Sequence, residues 1–186
     1  MSESEKPNEL RAEDAPREDL PQLSDEELDM VRELFRMVRA GDSEGLGRLL
    51  QMGLVPNLRD GQGNSLLLLA SYNGHYDLTR VLLEHGGDPQ LGNDRGQIPL
   101  AGAAFKGDLP MAQLLLDYGA EINAASPDGK TPLMFAAMFD RLEIIDLLIA
   151  HGADMALQTF DGLTALSLAQ AMGAHDAVAK LQALQE

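Results

Sequence analysis

The chain has 186 residues, no cysteine and a formal net charge of −16. The missing thiols exclude disulfides, thiolate metal sites, a cysteine nucleophile and iron–sulfur ligation. The acidic balance argues against nucleic acid, whose phosphates demand a surplus of Lys and Arg, and against an anionic membrane surface; it favours solubility and attraction to basic partners.

In chain order, residues 1–23 come first. They hold Pro7, Pro16 and Pro21, three leucines, and otherwise mostly charged or small residues. Such a composition buries too little apolar surface to offset the entropy of ordering. A disordered acidic tail is expected, either solubilising or docking onto a basic partner. Its opening, MSESEKPNEL, lacks the apolar run of a secretory signal. No stretch anywhere approaches the roughly 18 apolar residues a membrane span needs. The expectation is a cytoplasmic protein, monomeric on its own, with no membrane partner.

Ordered structure is expected from Ser24. Ser24 and Glu27 have capping-box spacing, and Leu23 and Leu28 have hydrophobic-staple spacing. Together they predict a lengthened first helix from about Asp25 to Arg39, covering the open N-terminal end of a repeat array.

Beyond it the chain repeats with a fixed step of thirty-three residues, from Gly63 to Gly96, Gly129 and Gly162. A second column is Gly53, Gly86, Gly119 and Gly152, and a third is Gly41, Gly74, Gly107, Asp140 and Gly173. Twelve of the eighteen glycines fall on these columns, and a period of this length marks a stacked repeat architecture. Leu34, Leu67, Leu100, Leu133 and Leu166 keep the same step, as do Leu49, Leu82, Leu115, Leu148 and Leu181. Ala70, Ala103, Ala136 and Ala169 form a small-residue column that lets neighbouring helices approach.

Within a unit, Pro99 and Pro132 stand where a first helix would start, the helical position that tolerates proline. Gly74, Gly107 and Gly173 mark a left-handed turn between two helices, and Asp140 takes that place once. Gly86, Gly119 and Gly152 end the second helices. Each unit therefore reads as helix, tight turn, helix and extended loop. The last unit shows polar residues in its second helix, Asp176, Lys180, Gln182 and Gln185, where inner units are more aliphatic. That suits a terminal unit facing water.

The segment Gly129-Lys130-Thr131-Pro132-Leu133-Met134-Phe135-Ala136-Ala137 resembles the opening of an ankyrin repeat. Leu147-Leu148-Ile149-Ala150-His151-Gly152-Ala153-Asp154 resembles its close, as does Leu82-Leu83-Glu84-His85-Gly86-Gly87-Asp88. The resemblance covers about 25–186 and implies an all-α ankyrin solenoid over 24–186. Its units would be about 25–59, 60–92, 93–125, 126–158 and 159–186. The family's Thr-Pro-Leu-His becomes Ser65-Leu66-Leu67-Leu68, Ile98-Pro99-Leu100-Ala101, Thr131-Pro132-Leu133-Met134 and Thr164-Ala165-Leu166-Ser167. The histidine that helps hydrogen-bond adjoining loops in the family is missing each time, so a less rigid array is expected.

Residues with chemical potential are sparse. Gly129-Lys130-Thr131 lacks the upstream glycine of a phosphate-binding loop, because Ala124 stands there. His75, His85, His151 and His175 form no metal-ligand spacing, and no nucleophile elbow occurs. A non-enzymatic chain with no metal and no cofactor is expected.

The resemblance implies a protein partner bound by loop tips and by the concave side of the first helices. The tips by register are Gln62 and Asn64, Arg95 and Gln97, Asp128 and Lys130, and Asp161 and Leu163, with Phe160 beside the last. The first-helix ends give Tyr72 and Asn73, Phe105 and Lys106, and Met138 and Phe139. The stripe Tyr72, Phe105, Met138 and Phe139 reads either as binding surface or as packing. The leading reading is an adaptor, inhibitor or assembly factor. Small family members that support a catalase suggest an accessory role in haem handling, for which His75 is the histidine nearest the concave face. Members that neutralise toxic effectors suggest instead an acidic inhibitor of a basic target, with salt-sensitive binding.

Overall fold

The computed structural model describes residues 24–185, so the expected tail lies outside the described residues. Among the described residues, ten helices follow one another in five pairs: α1 (Asp25–Ala40) with α2 (Ser43–Gln51), α3 (Leu66–Tyr72) with α4 (Tyr76–Glu84), α5 (Pro99–Lys106) with α6 (Leu109–Asp117), α7 (Pro132–Met138) with α8 (Leu142–Ala150), and α9 (Ala165–Met172) with α10 (His175–Ala183). The architecture is the all-α solenoid that the repeat columns imply.

Local chemistry sets each boundary. The Ser24 side chain accepts a hydrogen bond from the Glu27 amide while the Glu27 carboxylate accepts from the Ser24 amide, the reciprocal cap expected from the sequence. Leu23, the other half of the expected staple, is outside the described residues. Ser65, Thr131 and Thr164 cap α3, α7 and α9 through their side chains. Pro99 and Pro132 open α5 and α7.

The twelve glycines of the three columns are the twelve described glycines with positive φ, and Asp140, at φ 58°, is the thirteenth such residue. The period in the sequence is therefore a period in backbone hand. Asp140 gains something in return for its left-handed backbone: its Oδ1 accepts from the Ala177 amide at 2.7 Å. Ala177 lies in the first turn of α10, whose own N-cap residue, Ala174, offers no side-chain bond.

The first helices pack in one row, α1 on α3 on α5 on α7 on α9, and the second helices behind them, with α2 on α4, α6 on α8 and α8 on α10. The core runs between the rows as one continuous cluster. Leu67, Leu82, Leu100, Leu115, Leu133 and Leu148 are each at most 1 % exposed, and no member of the Ala70, Ala103, Ala136 and Ala169 column exceeds 3 %. Leu49 and Leu166, in the end units, are half-buried. On α10, Asp176 and Gln182 face water, and Lys180 pairs with Asp146 of the preceding unit.

Cross-unit hydrogen bonds come from columns other than that of the missing histidine. One ladder uses a column of amides. The Asn57 Oδ1 accepts from the Asp88 amide at 2.8 Å, the Gln90 Nε2 donates to the Gly119 carbonyl, and the Asn123 Oδ1 accepts from the Asp154 amide at 3.0 Å. Another ladder reaches back from the start of second helices: His75 Nε2 donates to the Arg39 carbonyl at 3.0 Å and Arg141 Nε to the Phe105 carbonyl at 3.2 Å. Between α4 and α6, the Tyr76 hydroxyl donates to Asp108 Oδ1 at 2.6 Å. That bond, above all, pushes the phenol up to about 12.

A candidate binding groove on the concave face

Each loop between pairs folds into a hairpin-like tip. The amides of Asp60, Asn93, Ser126 and Thr159 donate to the carbonyls of Asn64, Gln97, Lys130 and Leu163. Adjacent tips are joined by a further bond, Asp94 amide to Gln62 carbonyl and Phe160 amide to Asp128 carbonyl. Between them the same register place is Pro127, which has no N–H to give. The equivalent bond, to the Arg95 carbonyl, is thus absent.

The glycine of the Gly129-Lys130-Thr131 triplet serves this loop packing. A Cβ at Gly129 would lie 3.0 Å from the Thr159 Cα and 3.1 Å from the Phe160 amide nitrogen. Lys130 turns its ammonium onto Asp128 of its own tip. The hydrogen bond from Lys130, helped by one from Ser126, lowers the Asp128 carboxyl to about 2.

Tips and first helices enclose one concave groove of about 770 Å³. Leu68 and Leu69 of α3, Ala101 and Gly102 of α5 and Phe135 of α7 form its floor, with Ile98 just before α5. Tyr72 and Phe105 form walls, and Asn64, Arg95, Gln97, Asp128 and Lys130 the tip side. Seven residues expected from the sequence to meet a partner are therefore brought together: Asn64, Tyr72, Arg95, Gln97, Phe105, Asp128 and Lys130.

The remainder fall elsewhere. Gln62 and Asn73 are exposed beside the groove without lining it. Phe160, Asp161 and Leu163 are exposed at the last tip; Phe160 is 83 % exposed and outside the groove. Met138 and Phe139 are half-buried, and Met138 packs on the core. The aromatic stripe is thus split between surface and packing. Phe139 sets its ring edge-on to Phe105, centroids 4.6 Å apart at 78°, a favourable quadrupole arrangement. Lys106 places its ammonium 4.2 Å from the Tyr72 ring centroid and also donates to the Tyr72 carbonyl. Each wall thus has a neighbour in contact with its ring, Phe139 for Phe105 and Lys106 for Tyr72.

Asn64 and Gln97 are partly engaged as well, since Asn93 Nδ2 donates to the side-chain oxygens of both at 2.8 Å. The floor is not among the residues expected from register. Its signal lies in the column Leu69, Gly102, Phe135 and Leu168, where one glycine interrupts large apolar residues. A glycine inside a helix costs about 1 kcal/mol relative to alanine, so its presence in α5 signals a local demand for space.

The histidines lie away from the groove. His75 begins the second row at the N-cap of α4, bonded to the Arg39 carbonyl, with its ring over Gly41. Register alone puts it nearest the concave face; the structure seats it on the preceding unit's turn. His85 and His151 turn Nδ1 onto the Val81 and Leu147 carbonyls at 2.8 Å, closing α4 and α8. Among the described residues no group of three or more metal-ligating side chains clusters, and no helix is long and apolar enough to cross a membrane.

A family model described as ankyrin repeats, three copies, matches residues 34–126 and again 103–184, most of the chain. The chain belongs to the ankyrin-repeat family. It is 52 % identical over 68 residues to a Pseudomonas aeruginosa protein named as a putative ankyrin repeat protein, PA3287; the match takes in 37 % of this chain and 38 % of that one. Ankyrin repeats are protein–protein interaction modules, and their fold is generally non-enzymatic.

Proposed function

We propose that this chain holds a client protein in the concave groove formed by its second, third and fourth helix pairs, as an adaptor, inhibitor or assembly factor with no chemistry of its own. The observation that carries the reading is the groove itself. Apolar floor, two aromatic walls and polar tips from three successive units meet in one volume of about 770 Å³. Tyr72 and Phe105 are 44 % and 38 % exposed. They offer apolar area to water while being held in place, and a wall ordered beforehand loses little freedom on binding.

The groove's charge favours this reading over an acidic inhibitor. Its charged lining is Arg95, Asp128 and Lys130, a net of +1 on a chain of −16. A client seated here meets a lining with no acidic excess.

The test is a pull-down from native lysate with the wild-type chain and with Tyr72→Ala/Phe105→Ala. A partner retained by the first and lost by the second, with unfolding temperatures within a few degrees, supports the reading. Undiminished capture by the double variant contradicts it.

A further inference from the structure

The groove has a feature that no general concave surface requires. In α5, Gly102 stands at the register place held by Leu69 and Phe135 in the neighbouring units. A side chain is missing from the middle of the floor, flanked by two large ones. A Cβ built there would meet no backbone within 4 Å outside its own helix but would lie 3.3 Å from the Tyr72 Cδ2, tighter than ordinary contact, so the Tyr72 ring rests beside the glycine and would have to give by a few tenths of an ångström. Gly102 lines the groove together with Tyr72, Phe105 and Phe135.

Above it the tip is equally particular. Of the three charged residues lining the groove, Asp128 and Lys130 pair with one another. Asp94, next to Arg95 in sequence, pairs with Arg59 at 3.2 Å. The Arg95 guanidinium has no acidic partner among the described residues. Its backbone carbonyl receives no amide from the next tip, because Pro127 supplies none. A cation and a main-chain acceptor are thus left open at one point on the rim.

We infer that the groove reads an extended acidic segment of the client: one bulky apolar side chain enters the space over Gly102, and an Asp or Glu within two residues of it pairs with Arg95. Charge complementarity selects this occupant, since the free charge on the groove's lining is positive. An arginine fork also matches a carboxylate with two parallel hydrogen bonds. The inference rests on the concave groove being the client site.

Selection of random dodecapeptides displayed on phage against the full chain tests it. The expected enrichment is a Leu, Ile, Met or Phe with an acidic residue within two positions. A synthetic peptide of the selected sequence should lose at least tenfold in affinity to Gly102→Leu, which refills the space, and to Arg95→Glu. Gly102→Leu should keep the wild-type helical circular dichroism, since Leu69 and Leu168 occupy the same column, while moving the Tyr72 ring that lies 3.3 Å from the built Cβ. Gly102→Ala, a smaller intrusion, gives an intermediate loss and guards against misfolding of the leucine variant.

Enriched sequences without an acid, affinities indifferent to both substitutions, or an empty selection overturn the inference. So does self-association abolished by Gly102→Leu, which would name a second copy as occupant. Tyr72→Ala/Phe105→Ala separates the two levels. If it abolishes peptide binding while Gly102→Leu and Arg95→Glu do not, the client groove stands and only the acidic-segment reading falls. If it too leaves binding intact, the groove is not the site.

Discussion

Asp140 shows how a departure from a repeat column is accommodated. Its φ of 58° is strained for a residue with a Cβ, and its carboxylate caps α10 across the unit boundary at 2.7 Å. The two effects oppose one another, so three substitutions separate them. Asp140→Asn keeps both the tolerance and an acceptor, and its unfolding free energy in urea should lie within about 0.5 kcal/mol of wild type. Asp140→Gly relieves the strain and loses the cap, for a net loss of about 0–1 kcal/mol. Asp140→Ala loses the cap and keeps the strain, and should cost about 1–3 kcal/mol. An alanine variant as stable as the asparagine one would show that the cap contributes nothing.

Among the elements, the braced walls and the loop tips behave differently. Phe139 supports Phe105 edge-on and is half-buried. Phe139→Ala should lower unfolding stability by about 2 kcal/mol, from lost burial and the aromatic pair. Tyr72 is 44 % exposed. Tyr72→Ala should change stability by under about 1 kcal/mol yet weaken client binding by about 2 kcal/mol or more. Paired melting curves and binding isotherms would reveal a reversed order if the roles were exchanged. At the third tip, the Asp128 carboxyl is lowered to about 2. Its folded-state value lies below the ordinary carboxylate value near 4, so its contribution is complete above about pH 4 and lost as pH falls through about 2. The side chain is more than half exposed, and solvent screening holds the effect under about 1 kcal/mol. Asp128→Asn should therefore destabilise slightly at pH 6 and progressively less as pH falls through about 2, measured by urea unfolding at each pH.

For the whole molecule, the backbone plan is legible in the sequence because it depends on residues with one physical meaning. A glycine at a fixed step marks a left-handed turn, and a leucine at the same step marks a core layer. Twelve column glycines with positive φ follow from that, as does the lengthened α1, which ends at Ala40 rather than Arg39. The groove is half legible. Register places Tyr72 and Phe105 beside the turns, but it cannot tell a wall from its brace. Met138 and Phe139 share that address and turn towards the core and Phe105. What decides between them is the volume of the neighbours in three units at once, a property no single column carries. Gly102 is illegible for a related reason: it lies outside the three turn columns, and its meaning comes from Leu69 and Phe135 on either side. Loss of the family histidine points to a looser array. The ladders of Asn57, Gln90 and Asn123, and of His75 and Arg141, tie the units through other columns instead.

Hydrogen–deuterium exchange of the full chain with and without a saturating client tests most directly whether the concave groove is where the protein works. Protection confined to the tips at 62–64, 93–97 and 126–130 and to the ends of α3 and α5 is the result predicted. Protection on α4, α6 and α8, with those tips exchanging as in the free chain, would contradict it.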